Sequence, residues 1–335
     1  MIKFIIKRIL IMIPVFIGVL IIVFVLNEFM PGDPVINQLP NQYTQEQYDE
    51  VEHALGLDRP FLVRLVDYIW GVFTRFDLGT AYSSNQPVLS MMKNRIWVSI
   101  EIGLLGTILV VILGVPIGIF SALKQNTLAD YSITTVSIVL ASLPGFWLAL
   151  MSIIIFSLKL KLLPASRLES WDAYILPVLS NSLMSLASVT RMTRSSMLEV
   201  VRQDYITTAR SKGLKEREIV VRHALKNSLI PVVTMVGGQL SFIIGGSVIV
   251  ENIFNIPGMG ALMVTAINQR DYPLILGITV IISIFVCVMN LLVDLVYSAI
   301  DPRIKAQFAS GKLFRPRKSR AEKMLEPVNA VVKED

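Results

Sequence analysis

Few side chains in this sequence could do chemistry, and their spacing excludes most of it. His53 and His223 lie far apart, and neither has a second His or Cys at the spacing a structural metal site requires. Cys287 is the only cysteine and sits in an apolar run, so no intrachain disulfide can form and the residue reads as a lipid- or core-facing filler. There is no H-E-x-x-H, no G-x-S-x-G and no histidine within an apolar span, which leaves a membrane enzyme without parts. The nearest approach to a phosphate-cradling loop, Ser310-Gly311-Lys312, lacks the upstream glycine and the following Ser or Thr. Energy for any work must therefore come from another chain. Glu28, Glu101, Asp294, Asn290 and Gln239 lie in or at the ends of apolar runs and could bind the coupling ions of a secondary transporter. Most are near run ends, where snorkelling or interfacial hydration accounts for them as well.

The elements that carry these residues belong in lipid. Of the 335 residues 53% are hydrophobic and only 17% charged, and the mean hydropathy is +0.63. Several uncharged runs are about as long as the roughly 20 residues a helix needs to span the hydrocarbon core with its backbone satisfied internally. Six spans are expected: Ile9 to Leu26, Ile96 to Leu123, Ile133 to Leu158, about Ala173 to Thr190, Leu229 to Val250, and Leu274 to Ile300. The first follows Lys3, Lys7 and Arg8 like a signal peptide but is too long for one and has no small-x-small cleavage site, so it reads as a retained span. With both termini in the cytosol, 22 Lys and Arg fall inside and 9 outside, which satisfies the positive-inside rule. The organisation is then a first span over 1–30, an extracytoplasmic insertion over 31–95, a membrane core over 96–304 and a cytosolic tail over 305–335.

The insertion is too long for a bare connection. Thr44-Gln45-Glu46-Gln47 has capping-box spacing, Gly56 suits a C-terminal cap, and Pro60 suits the start of a second helix through Leu65, Ile69 and Phe73. A small helical cap outside the membrane is expected. Within the core, Gly114 and Gly118 form a small-xxx-small pair around Pro116, and Pro144-Gly145 interrupts the third span. Beyond the fifth span, the carboxylate of Glu251 would cost roughly 3 kcal/mol facing lipid, so it should face protein or water. The Pro257-Gly258 break returns the chain toward Asn268 and Asp271, and these three residues are expected to form a polar rim at an outer gate.

The loop over 191–228 is long, basic and patterned as helix. Leu198, Val201, Tyr205 and Ala209 fall at helical spacing on one face, with Arg202, Arg210 and Lys212 mostly off it, and Gly213 can stop the helix in a left-handed conformation. Such a helix between two spans could press an apolar face into a groove on another protein, or lie on anionic headgroups.

The run Asp204-Tyr205-Ile206-Thr207-Thr208-Ala209-Arg210-Ser211-Lys212-Gly213-Leu214, followed by Arg222-His223-Ala224-Leu225-Lys226-Asn227-Ser228-Leu229-Ile230-Pro231, resembles the cytosolic coupling loop of ABC-importer permeases of the dipeptide/oligopeptide/nickel class. Met30-Pro31-Gly32-Asp33-Pro34, Leu163-Pro164-Ala165-Ser166, Glu251-Asn252-Ile253-Phe254, Pro257-Gly258-Met259-Gly260, Arg270-Asp271-Tyr272-Pro273 and Asp301-Pro302-Arg303 follow the family in order, and the chain resembles the first, B-type, permease subunit. It departs from the general signature in having Thr207-Thr208-Ala209 where many importers have Glu-Ala-Ala, and Lys226 where the general pattern has proline. The resemblance implies an all-α polytopic protein of the bacterial inner membrane with a type I importer-like permease fold. It implies a non-catalytic subunit whose residues from Asp204 to Leu214 couple to ATPases. The expected partners are a homologous second permease, two cytosolic ATPase subunits that hold the ATP and Mg, an extracytoplasmic solute-binding protein and the lipid bilayer. No cofactor and no metal in this chain, and no nucleic acid, are expected. Peptides are the expected cargo, with nickel or another small solute as the alternative.

Overall fold

A computed structural model describes residues 2–166, 168–240 and 247–300, with side chains described from residue 5 to residue 296 of these. The tail over 305–335, the 241–246 part of the expected fifth span and Asp301-Pro302-Arg303 lie outside the described residues. Among the described residues the only strand-like feature is an isolated bridge between Thr80 and Pro87.

The helices are α1 (Ile2–Glu28), α2 (Gln45–Ala54), α3 (Phe61–Arg75), α4 (Val88–Leu109), α5 (Val115–Leu123), α6 (Leu128–Ser142) and α7 (Gly145–Ser152), then α8 (Ile175–Val201), α9 (Asp204–Ser211), α10 (Glu216–Glu218), α11 (Leu225–Leu240), α12 (Val248–Ile253), α13 (Met259–Gln269) and α14 (Tyr272–Ile300). Wide π-helical turns extend or join several of them, at Val110–Gly114, Ile153–Lys159 and Ile219–Ala224. Among the described residues, five helical stretches are long and apolar enough to cross a bilayer, and α6 with α7 makes a sixth when the bent pair is taken as one span. That pair turns by 101° at the Pro144-Gly145 break, a far larger interruption than local bending.

α1 and α14 run antiparallel, tied at one end by Arg8 to Asp294 at 2.9 Å and joined along their length by the apolar cluster of Leu20, Leu274, Ile278 and Val280. α8 is the centre of the remaining bundle, packed by α4, α5, α6, α7 and α11. That position explains its sequence: it buries Ser180, Ser182, Thr190, Thr193 and Ser196, small hydroxyl residues that let neighbours approach closely. The Gly114–Gly118 pair works the same way, since a Cβ on Gly118 would lie 2.6 Å from the Thr190 carbonyl oxygen and from Thr193 Cβ.

Several boundaries differ from expectation, the second helical stretch beginning at Val88 rather than Ile96 and the third at Leu128 rather than Ile133. α8 does not stop near Thr190 but continues to Val201, because basic residues end a hydropathy signal without ending a helix. The helical stretch that contains the fifth expected span starts at Glu216 rather than Leu229 and is described as far as Leu240.

The insertion has its expected caps. Thr44 and Gln47 form a reciprocal capping box, and Gly56 takes φ +67. Its second helix also packs directly on α1. Phe61 of α3 packs on Phe24 and Phe73 on Phe16, so α3 lies along the second half of α1, held also by Arg64 on Glu28 at 2.7 Å. The physical reason is the broad apolar face of α3, part of which α1 covers.

Candidate functional site

The residues singled out between Asp204 and Leu214 form α9 and its closing turn. α8 ends at Val201, and Gln203 in an extended conformation starts α9 at Asp204. This break overturns the expected continuous face of Leu198, Val201, Tyr205 and Ala209, which belong to two helices. The residues that point inward are Ile206 and Ala209, packed with Met197 of α8, Ala122 of α5, and Ile219 and Ala224 on the return toward α11. The apolar face is thus spent on the protein's own bundle and is open neither to lipid nor to a partner's groove. What α9 shows outward is polar: Asp204, Thr207, Thr208, Arg210, Ser211 and Lys212, with Tyr205 43% exposed. Asn227 donates to the Tyr205 hydroxyl at 3.0 Å and so fixes the ring.

The loop is closed at its far end. Gly213 has φ +77; its N–H donates to the Arg210 carbonyl at 2.9 Å and the Leu214 N–H to the Ala209 carbonyl at 3.4 Å, a Schellman closure that glycine makes cheap. Arg210 then forks onto Glu216, with Nη2 to Oε1 at 2.6 Å and Nε to Oε1 at 3.0 Å. The hydrogen bond to Glu216 holds the guanidinium above its ordinary pKa.

Further along the bundle, α4, α7, α8, α11 and α12 enclose a cleft of about 400 Å³ whose lining includes Gly103, Gly106, Gly145, Ser180, Asn181 and Gln239. Small residues make room, and hydroxyl and amide groups offer hydrogen bonds without fixed charge. Except for Gln239 and Gly145, this lining went unremarked in the sequence. Its legible signals are the Gly103-x-x-Gly106 spacing and the serine run after Ser180.

Glu251, Asn268 and Asp271 do not assemble into a rim. Glu251 is fully buried and accepts from Ser99 Oγ and Ser247 Oγ at 2.6 Å each, and from the Gly260 and Ala261 N–H groups at 2.7 and 3.0 Å. It is the anion at the N-terminus of α13, and Gly258 and Gly260 leave room for its carboxylate. Asp271, also fully buried, accepts from Ser83 N–H and Oγ at 2.9 and 2.7 Å and caps α14 through the Leu274 N–H at 3.2 Å. The 11 residues of α13 stand between the two, about 16 Å of helix, and Asn268 is exposed. The expected facing of Glu251 toward protein is what the structure has, with both of its oxygens engaged by internal donors.

An ion pair absent from the sequence reading lies near α9. Asp130, 1% exposed at the start of α6, accepts from Arg194 Nε and Nη2 at 2.5 and 2.7 Å, from Ser121 Oγ at 2.5 Å and from the Asn126 N–H at 3.0 Å. It ties the α5–α6 turn to α8 seven residues before α8 ends. The carboxylates that could have held coupling ions are engaged as well: Asp294 by Arg8, Glu28 by Arg64, and Glu101 by the Tyr174 hydroxyl at 3.1 Å.

Residues 114–306 match the family model described as binding-protein-dependent transport system inner membrane component, and residues 1–103 match the N-terminal model of the same kind of membrane component. The chain belongs to this family. It is accordingly a multi-pass inner-membrane protein. Similar proteins include the dipeptide transport system permease protein DppB of Alkalihalophilus pseudofirmus, 39% identical over 334 residues, covering 91% of this chain and 100% of that one. The DppB of Bacillus subtilis is 38% identical over 307 residues, covering 91% and 98%. Among solved structures, the inward-facing MetNI methionine ABC transporter superposes with a TM-score of 0.56 at 15% identity, over 64% of this chain and 98% of that chain, a likeness of fold.

Proposed function

We infer that this chain is the membrane permease of an ATP-driven importer and forms one wall of a peptide pathway, working with a second permease, two cytosolic ATPases and an extracytoplasmic binding protein. ATP and Mg reside on the ATPases, and this chain catalyses nothing itself. The observation that carries the reading is α9. It is anchored inward by Ile206 and Ala209, clamped by Arg210–Glu216, and presents a polar surface between α8 and α11, two of the helices that line the cleft. An ATPase that grips this surface moves both helices. On this reading α9 and both chain termini are cytosolic. Peptide cargo is supported by the relatives named as dipeptide permeases and by a cleft rich in uncharged hydrogen-bonding groups, which suit backbone amides.

The test is disulfide crosslinking in the assembled importer, with cysteine at Thr208 or Ser211, both on the outward face. A crosslink to an ATPase that changes with its nucleotide state is expected. Complete assembly with no crosslink at either position refutes the docking surface. Dipeptide uptake should also stop when the ATPases are disabled and persist with ionophores present.

A further inference from the structure

At the end of the bundle remote from α9, a second cavity of about 250 Å³ opens between the end of α1, the Leu55–Arg59 turn, α3 and the start of α14. Two polar groups in its lining have no hydrogen-bond partner: Nδ2 of Asn27, a residue only 4% exposed, and the hydroxyl of Tyr68. Leaving such groups unpaired is costly, so the interior is built to meet an oxygen acceptor. Around them the charges balance, with Arg64 on Glu28 and Arg59 on Asp67. An occupant should therefore carry no net charge while offering both an anionic oxygen and a donor cation.

Position selects the source. The apolar run of α1 ends at Leu26, and Asn27 and Glu28 follow at once, so the cavity sits at the depth where hydrocarbon gives way to headgroups. Beside it α3 exposes Leu62, Val66 and Trp70, one per turn, and α1 exposes Ile22 and Leu26, an apolar surface on which acyl chains can continue from the cavity. The volume is below that of drug-sized pockets and suits a headgroup.

We propose that this cavity is a binding site for the headgroup of a phospholipid bearing a primary ammonium, phosphatidylethanolamine in chemical class. Its phosphodiester oxygens accept from Asn27 and Tyr68, and its ammonium donates to Glu28 or Asp67. The site is independent of the peptide pathway, sharing no lining residue with the cleft.

The experiment uses the full importer in vesicles of equal parts phosphatidylethanolamine, phosphatidylcholine and phosphatidylglycerol, extracted gently, with retained lipid counted by native mass spectrometry. Preferential retention of phosphatidylethanolamine is expected. Asn27→Leu and Tyr68→Phe, the latter removing only a hydroxyl, should each lower it about five-fold. Unchanged retention in both variants overturns the site. Equal retention of phosphatidylcholine, which has no ammonium N–H, overturns the proposal through its headgroup chemistry. Displacement of the lipid by millimolar free phosphoethanolamine without loss of acyl-chain contact sites overturns a membrane source in favour of a soluble one.

Discussion

Replacing Arg194 by methionine keeps most of the side-chain volume and removes the charge that faces Asp130. The carboxylate is 1% exposed and would keep only the Ser121 hydroxyl at 2.5 Å and the Asn126 N–H at 3.0 Å. Breaking a buried pair from one side costs about 3–5 kcal/mol, chiefly through the charge left behind. The guanidinium it loses was 26% exposed, so water can reach part of the gap and the lower end, about 3 kcal/mol, is expected. Asp130→Asn should cost less, about 2 kcal/mol, since Arg194 can turn outward. The double variant should fall short of the sum by at least about 1 kcal/mol, because neither orphaned charge remains. The assay is reversible unfolding of the purified permease in mild detergent, alongside peptide uptake per ATP hydrolysed in vesicles. Additive losses, or an Arg194→Met loss below about 0.5 kcal/mol, would refute the buried-pair reasoning. Full stability with uptake still lost would place Arg194 in the transport cycle itself.

Three further predictions concern close contacts, a left-handed turn and a buried carboxylate. Gly118→Ala should destabilise the permease by about 1–3 kcal/mol because the new methyl meets the α8 backbone, whereas Gly145→Ala, with open space around it, should stay within about 0.5 kcal/mol; unfolding of the two compared side by side decides it. Gly213→Val meets no neighbour but must hold φ +77, costing about 1–2 kcal/mol at the turn, so uptake should drop at normal membrane levels while Gly213→Asn stays active; wild-type uptake in the valine variant removes the turn from the mechanism. Glu251→Gln puts an amide among four donors and should cost about 2–3 kcal/mol of stability together with uptake; lost uptake at unchanged stability would restore Glu251 to direct contact with cargo.

Local chemistry was readable in the sequence. The Thr44 capping box, the left-handed turns at Gly56 and Gly213 and the break at Pro144-Gly145 each depend on residues a few positions apart. The amphipathic pattern across Val201 and Tyr205 misled because the helix breaks at Arg202-Gln203 with neither Gly nor Pro to mark it; the Gln203 side chain makes no cap bond. Periodicity also cannot say which partner covers an apolar face, and here the cover for Ile206 and Ala209 is α5, α8 and the π-helical turn at Ile219–Ala224. Asp130 and Arg194 are 64 residues apart, and Ser99 reaches Glu251 across 152, so no spacing rule could have joined them. Glu251 was recognisable as an inward-facing carboxylate from its cost in lipid. Its actual partners needed the fold, although the glycines at 258 and 260 were the visible trace of the room its carboxylate takes.

If an ATPase docks on α9 as proposed, the placement of that helix decides how force would reach the cleft. α8 is one unbroken helix of 27 residues, about 40 Å long, carrying Met197 against α9 near one end and Ser180 and Asn181 in the cleft lining toward the other. On the return side, the π-helical turn holding Ile219 and Ala224 leads straight into α11, which delivers Gln239 to the same cleft. Both walls therefore begin at the loop, and a rigid-body shift of α9 needs no chain of intermediate side chains to be felt there. The two connections are unequal in stiffness. α8 is braced by Asp130 on Arg194 and by the Gly118 contact, whereas α11 is entered through a π-helical turn and contains Pro231, features that let a helix bend. A pull on α9 should accordingly swing the α11 wall against a steadier α8. Distances from a spin label on α9 to labels at Ser185 and Gln239 in the assembled importer would show this as a larger change for Gln239 between nucleotide states, and equal changes would refute the asymmetry.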